Sequence, residues 1–183
     1  MRIAHRLVLL SLTVAAGCHR PAGIPSSADT PELDDGNIVA IVLAANNTDL
    51  SYARLVPGRA ASAEVKAFAA RMTTDHTLLS ARAADIALRH GITAEDDATS
   101  LDFRDHSAAR RDVLRELTGA RFDSTYVENE ILYHTELLAA LDRVLIPRAH
   151  NAELKQFVVT LRPAVSAHLA HAEQVRATLA ARR

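Results

Sequence analysis

Apolar residues recur at alternating steps of three and four positions along four long segments of the chain. This spacing is typical of helices that bury one face in a bundle. The long segments cover about residues 36–56, 62–90, 121–145 and 151–183, and a shorter one covers about 105–117. No stretch shows sustained period-two alternation with β-branched residues, so the pattern predicts an all-α domain.

Residues that begin or interrupt helices support these limits. Ser62 and Asn151 are favourable N-caps, and Pro57-Gly58 is expected to end the first helix. Pro163 lies within the last segment, where it predicts a kink. Short connections join the first helix to the second and the third to the fourth, which favours antiparallel neighbours. We therefore predict an up-down-up-down four-helix bundle with an extra short helix between helices 2 and 3.

The first 17 residues differ in character from the rest of the chain. A short basic start precedes an apolar run over residues 7–16. This run is too short to span a bilayer, because a spanning helix needs about 20 residues. The pattern predicts a signal peptide over residues 1–17.

The end of the apolar run resembles a bacterial lipobox, since small residues at positions 15–17 precede Cys18. Cys18 is the only cysteine of the chain, so lipidation explains its position better than a disulfide does. Ordinary secretion and cleavage is the alternative. Residues 18–34 are then a flexible linker before a domain at 35–183. Because His19 rather than Asp follows the cysteine, we expect an exported, periplasm-facing protein that a lipid anchors to the outer membrane.

The charge balance and the absence of several motifs argue against some classes of function. The chain carries 21 basic and 22 acidic side chains, and loss of Arg2 and Arg6 with the signal peptide would leave 19 basic ones. This near-neutral balance does not favour nucleic-acid binding, which depends on excess positive charge. The sequence has no Gly-rich phosphate loop, no Ser–His–Asp signal and no zinc-type cysteine pair. It identifies neither a reaction nor a protein partner.

Each of the four apolar stripes carries one polar residue that can ligate a metal ion, namely Asp49, His76, His134 and His168. Buried polar groups are costly unless they are paired or bind something, so four on inward faces are expected to meet. Glu130 lies one turn before His134 on the same helix face and joins the set. If both short connections lie at one end of the bundle, Asp49 and His134 lie at one height along the bundle axis and His76 and His168 at another. The two heights differ by the length of about five helical residues.

Histidines and carboxylates from several helices form a candidate metal centre. Di-iron and di-manganese sites are richer in carboxylates than this set. Its histidine-rich balance suits zinc, copper or a single iron at least as well as iron or manganese pairs. The alternative is a hydrogen-bonded polar network that fixes the register of the helices without binding an ion.

Three histidine-bearing segments also resemble a known family. They are residues 68–76, residues 119–126 with His134, and Pro163 with His168. Their order and content resemble the bacterial ferritin-like family of unknown function numbered 4142. Members of that family are often exported and described as outer-membrane proteins.

The resemblance covers about residues 37–180 and implies a ferritin-like four-helix bundle. It carries the family pattern onto His76, His134 and His168. The family tends to have Glu where this chain has Asp49, whose side chain is one methylene shorter. The family has no settled activity, so the resemblance implies a fold and candidate residues rather than a reaction.

Two kinds of function are consistent with these features. The first is an exported, lipid-anchored metal-binding protein for metal storage, buffering or an oxidase-like step. The second is a non-catalytic envelope interaction or stress-tolerance module with a structural histidine network. Ferritin-like iron oxidation is less favoured than either, because it needs two metal ions and bridging carboxylates, and inward-facing Glu is scarce.

Overall fold

A computed structural model describes residues 33–182 of the chain. This part is all-α and contains no strand, which confirms the predicted fold class. Its helices are α1 (Asp35–Ala53), α2 (Val56–Arg59), α3 (Ala63–His90), α4 (Ala98–Arg115), α5 (Gly119–Ala140), α6 (Ile146–Arg148) and α7 (Ala152–Ala180), with a π-helical turn at Leu141–Leu145.

The predicted N-caps are confirmed. The Ser62 hydroxyl accepts hydrogen bonds from the backbone N–H groups of Glu64 and Val65 at the start of α3. The Asn151 side chain accepts in the same way at the start of α7. These bonds satisfy N–H groups that have no partner within the helix. α7 continues through Pro163 without a break.

Two predicted helix limits were wrong. The first helix ends at Ala53, and Pro57 lies in the first turn of α2, where the missing N–H of proline is tolerated. The short helix begins at Ala98 rather than near residue 105. Asp97 and Ser100 form a reciprocal capping box there, in which each side chain accepts from the other's backbone N–H.

The predicted up-down-up-down order was also wrong. The Asp35 carboxylate accepts hydrogen bonds from the backbone N–H groups of His150 and Asn151, both at 2.9 Å, so α1 and α7 begin at the same end. The Asp123 carboxylate accepts from the backbone of Ala61 and Ser62, so α3 and α5 begin together at the opposite end. α1 is therefore parallel to α7 and antiparallel to α3 and α5. The two short connections lie at opposite ends.

The long connection between α3 and α5 explains this order. It contains α4, which packs against α1 and α5. A helix of 18 residues is about 27 Å long and returns the chain along the bundle before α5 begins. The sequence pattern identified this helix as shorter, so the return of the chain was not predicted.

Two apolar clusters form the core. One contains Ile41, Ile86 and Phe157, and the other contains Phe68 and Phe122. Along α1, α3 and α7, the candidate metal ligand falls between the residues of one cluster and those of the other. A buried polar layer therefore interrupts an otherwise apolar interior. Among the described residues, no helix is both long enough and apolar enough to cross a membrane.

Candidate metal centre

The polar layer brings together all five candidate ligands. Asp49 comes from α1, His76 from α3, Glu130 and His134 from α5, and His168 from α7. Each is at most 3% exposed. The centroids of the three histidine rings lie 5.2 to 5.9 Å apart. The predicted offset of about five residues between two levels was wrong, because it assumed that both short connections lie at one end.

Two of the histidines are oriented by a hydrogen bond on the side away from the cluster. His76 Nδ1–H donates to Asn46 Oδ1 at 2.8 Å. His134 Nδ1–H donates to the backbone carbonyl of Glu130, one turn earlier on α5, also at 2.8 Å. With the hydrogen on Nδ1, the lone pair of the neutral form of either ring is on Nε2.

The third histidine is held from the surface. His168 Nε2–H donates to Asp75 Oδ2 at 2.9 Å, which leaves the lone pair on Nδ1. The Asp75 side chain is 32% exposed and also forms an ion pair with Arg71. Asp75 therefore orients the His168 ring.

The three inward-facing nitrogens are His76 Nε2, His134 Nε2 and His168 Nδ1. None has a hydrogen-bond partner within residues 33–182. One ring nitrogen from each of the three histidines lies within 4.8 Å of the other two. A buried acceptor without a partner costs about 1–3 kcal/mol, so three together need an explanation.

Asp49 faces two of these nitrogens. Its Oδ2 atom lies 3.1 Å from His76 Nε2 and 3.5 Å from His134 Nε2. Burial acts to raise the pKa of Asp49, but the surrounding histidines, His76 first, outweigh burial and hold the pKa below its usual value. Asp49 is therefore a carboxylate. Ligands about 2.1 Å from a tetrahedral ion lie about 3.4 Å apart, close to both distances.

Glu130 lies close to both Asp49 and His134. Its Oε2 atom lies 3.5 Å from His134 Nδ1, and neither carboxylate oxygen has a hydrogen-bond partner in the described part of the chain. Burial and then the charge of Asp49 raise the pKa of Glu130 well above its usual value. Without a cation, Glu130 therefore keeps its proton.

Burial has the opposite effect on the histidines. It lowers the pKa of His134 to about 4 and also lowers the pKa of His168. Both rings are neutral at pH 7. The neutral imidazole is the form that ligates metals, so no proton must leave these rings before an ion binds.

Sequence reasoning missed Asn46. It lies three residues before Asp49, which places it beside Asp49 on the same face of α1, and it is 4% exposed. This spacing was the available signal. His171, on the same helix as His168, is half-buried, and its ring centroid lies 5.0 Å from that of Phe68.

The predicted lipidation site Cys18, the signal peptide over 1–17 and nearly all of the linker over 18–34 lie outside the described residues. Inside them, Leu33 is already buried in the core and Asp34 caps α1.

These observations define the class of the protein as an all-α helical bundle whose buried histidines and carboxylates could hold a metal ion. The chain belongs to the family described as "Domain of unknown function (DUF4142)", which matches residues 21–175. No curated protein and no solved structure matches it.

Proposed function

We propose that this protein holds a divalent transition-metal ion inside a ferritin-like four-helix bundle. The ion is bound by His76, His134, His168 and Asp49, with Glu130 beside them. One observation carries the proposal: each histidine makes a hydrogen bond with its outer nitrogen and directs an unpartnered inner nitrogen at the other two. Metal-ligating histidines are typically oriented in this way.

The order of the long helices supports the ferritin-like part of the proposal. α1, α3, α5 and α7 are the four long helices that carry the cluster, and a single long connection through α4 separates the two pairs. One long crossover connection is typical of ferritin-like bundles.

The set of donor atoms limits which metals fit the site and what the bound ion can do. Three imidazoles and a carboxylate suit zinc, copper or iron, and manganese is favoured less because it prefers oxygen. Four protein donors fill a tetrahedral site and leave no open position for a substrate. The site is therefore suited to metal storage or buffering rather than to an enzymatic reaction.

The location of the protein is the second part of the proposal. The lipobox-like residues before Cys18 support an exported protein that a lipid holds at the outer membrane, facing the periplasm. In cells that carry Cys18→Ser, we expect the protein to move from the membrane fraction to the soluble periplasmic fraction. Because the loss of the cysteine can also leave the signal peptide attached, the molecular mass of the variant is measured, and a cleaved variant that stays in the membrane fraction has another anchor.

A purely structural histidine network is the alternative, in an envelope module that acts through protein or lipid contacts. The three outer hydrogen bonds would serve it equally well. The unpartnered inner nitrogens argue against it, because a network that only stabilises the fold gains from pairing every buried polar atom.

Elemental analysis tests the metal site. The mature domain without the lipidation site, residues 19–183, is exported to the periplasm and purified from there without an affinity tag, from cells grown with iron, zinc, copper and manganese. We expect close to one ion per chain, and none in a variant with His76→Ala, His134→Ala and His168→Ala. The matched control replaces three exposed histidines, His90, His106 and His150.

Circular dichroism confirms that both triple variants are folded. If the wild-type chain stays metal-free after titration with each ion, the structural network is the correct interpretation. Equal loss of metal in the control variant would also contradict the proposed ligands.

A further inference from the structure

A cavity of about 150 Å³ lies between α1, α4 and α5, and none of the five candidate metal ligands lines it. Three aromatic side chains line it, Tyr52 from α1, Phe103 from α4 and Tyr133 from α5. The centroid of the Tyr133 ring lies 6.3 Å from those of Tyr52 and Phe103, and it meets both rings edge-on. Asp102 and His106 also line the cavity and are exposed, so the cavity reaches the surface of the protein.

The hydroxyl of Tyr52 is the strongest sign that this cavity takes a ligand. Tyr52 is 0% exposed, and its hydroxyl makes no hydrogen bond within residues 33–182. Burial raises the pKa of Tyr52 and outweighs Ser107 and Arg110, which lie close enough to act in the opposite sense. The hydroxyl therefore keeps its proton at neutral pH. A buried hydroxyl destabilises the fold unless it has a partner, and the cavity has room for one.

Other polar groups line the same cavity. Thr48 and Ser107 are 4% and 6% exposed, and each contributes a hydroxyl that can donate and accept. Arg110 donates to the Glu136 carboxylate through one N–H of each terminal nitrogen, at 3.0 and 2.8 Å. This pair fixes the guanidinium and leaves its further N–H groups available to a ligand. The lining thus suits a ligand whose own polar group both donates and accepts.

The charges of the lining argue against an ionic ligand. Asp102 and Glu136 are two carboxylates against the single guanidinium of Arg110, and a protonated His106 would bring the sum only to zero. An anion would therefore find no excess of positive charge. A cationic ligand would lie beside the fixed charge of Arg110, which repels it.

The volume indicates the size of the ligand. A cavity of about 150 Å³ is large enough for one benzene molecule, and aromatic rings favour edge-to-face packing against each other. We propose that this cavity binds a small neutral phenol, whose ring packs against Tyr52, Phe103 and Tyr133 and whose hydroxyl pairs with that of Tyr52. This site goes beyond the proposed function, and it does not need the metal ion.

Four probes that share one aromatic ring test this assignment: phenol, toluene, benzoate and benzylammonium. Each is titrated into the protein prepared as for the elemental analysis, both metal-free and loaded with zinc. Changes in the NMR chemical shifts of backbone amides measure each Kd and show where the probe binds. We expect phenol to bind both forms between α1, α4 and α5, with a Kd about tenfold below that of toluene, which leaves the Tyr52 hydroxyl unpaired. Benzoate and benzylammonium should bind more weakly than phenol.

Two tyrosine variants locate the hydrogen bond. Tyr52→Phe removes the hydroxyl but keeps the ring, so phenol affinity should fall about tenfold and toluene affinity should stay the same. Tyr126→Phe is the matched control. Tyr126 is also 0% exposed, with a hydroxyl that has no hydrogen-bond partner in the described part of the chain, but it does not line the cavity. Its loss should leave phenol affinity unchanged.

Several results would overturn the assignment. If phenol shows no saturable binding at these helices, the cavity holds water only. Equal affinities for phenol and toluene, tighter binding of either charged probe, or an equal effect of the two tyrosine variants would each contradict it as well. The comparison of probes uses the wild-type chain, so it remains decisive if Tyr52→Phe does not fold. Phenol binding to the metal-free form separates this inference from the proposed function, because either can fail without the other.

Discussion

The Nε2 atom of His76 lies 3.1 Å from the Oδ2 atom of Asp49, although the two residues belong to different helices. Neither atom makes a well-formed hydrogen bond within residues 33–182, because His76 already donates to Asn46 through its other nitrogen. Two buried polar groups are thus close together without being paired. This relationship makes both of them available to an ion.

Replacing Asp49 should remove most of the metal affinity. Asp49→Asn keeps the volume of the side chain but removes the negative charge that lies beside two ligand nitrogens. We expect the dissociation constant to rise by more than the roughly 10- to 100-fold that is typical for partners of ligands. Competition with a chelator of known affinity measures the change. In the control Asp85→Asn, which alters an exposed carboxylate, affinity should stay the same.

Asn46 should act through His76. Asn46→Ala removes the acceptor that fixes the tautomer and the orientation of the ring, so we expect metal affinity to fall by about 10- to 100-fold. Its neighbour Asn47 is exposed, and Asn47→Ala is a matched control that should have no effect. Isothermal titration calorimetry compares the two variants. Equal affinities in both would show that the Asn46 side chain does not position His76.

Metal removal should destabilise the protein reversibly. An ion that binds only the folded state stabilises it by about 2.7 kcal/mol at a free concentration of 100 times Kd. For a domain of this size, that corresponds to an increase in Tm of about 5–10 °C. Thermal unfolding with and without a chelator measures the shift. The His76, His134 and His168 triple-alanine variant should unfold at one temperature under both conditions, and a shift in that variant would point to another site.

The stability of the metal-free protein should be greatest near pH 6.5. The pKa of His134 is about 4 in the folded state and about 6.5 in the unfolded state. As pH falls from 6.5 towards 4, the unfolded chain therefore takes up protons that the folded chain excludes, and stability decreases. Burial lowers the pKa of His168 in the same sense. Together the two histidines outweigh the opposite contribution of Glu130 in this range.

Above pH 6.5 the contribution of Glu130 remains. Its raised pKa keeps a proton on the folded chain that the unfolded chain has already released, so stability falls as pH rises until Glu130 ionises. The slope is at most about 1.4 kcal/mol per pH unit. Urea unfolding of the chelator-treated protein at a series of pH values measures how the free energy of unfolding changes below pH 6.5 (the acidic limb) and above it (the alkaline limb). Glu130→Gln should flatten the alkaline limb and steepen the acidic one, whereas an unchanged alkaline limb would refute the assignment.

Asp123 should stabilise the fold independently of metal. Its carboxylate is 3% exposed and accepts two backbone hydrogen bonds, from Ala61 at 3.1 Å and Ser62 at 2.9 Å. We expect Asp123→Ala to lower the free energy of unfolding by about 1–3 kcal/mol, because these buried donors lose their partner. The exposed Asp112→Ala serves as a control with little effect. Chelator-treated samples separate this loss from any change in metal binding.

The sequence predicted which residues face inward, for a simple physical reason. Helical spacing fixes the face on which a residue lies, so Asp49, His76, His134 and His168 could be assigned to apolar stripes without knowing how the helices are arranged. Glu130 followed from its position one turn before His134. All five lie within one buried layer of the described structure.

The height of each residue along the bundle could not be predicted in the same way. Short connections indicate that sequential helices are antiparallel, but the direction of α5 depends on how far α4 carries the chain. That distance depends on where α4 begins, which is set by a capping box at Asp97 and Ser100. Asn46 was missed because an amide on an apolar stripe gives no sign of its partner until the opposite helix is in place.

The cluster is divided between two helical hairpins. One hairpin, α1 with α3, supplies Asp49 and His76, and the other, α5 with α7, supplies His134 and His168. Neither hairpin alone contains a complete set of donors. A bound ion would therefore link the two hairpins. Its loss would increase the rate of amide hydrogen exchange at the interface between the hairpins more than within either hairpin.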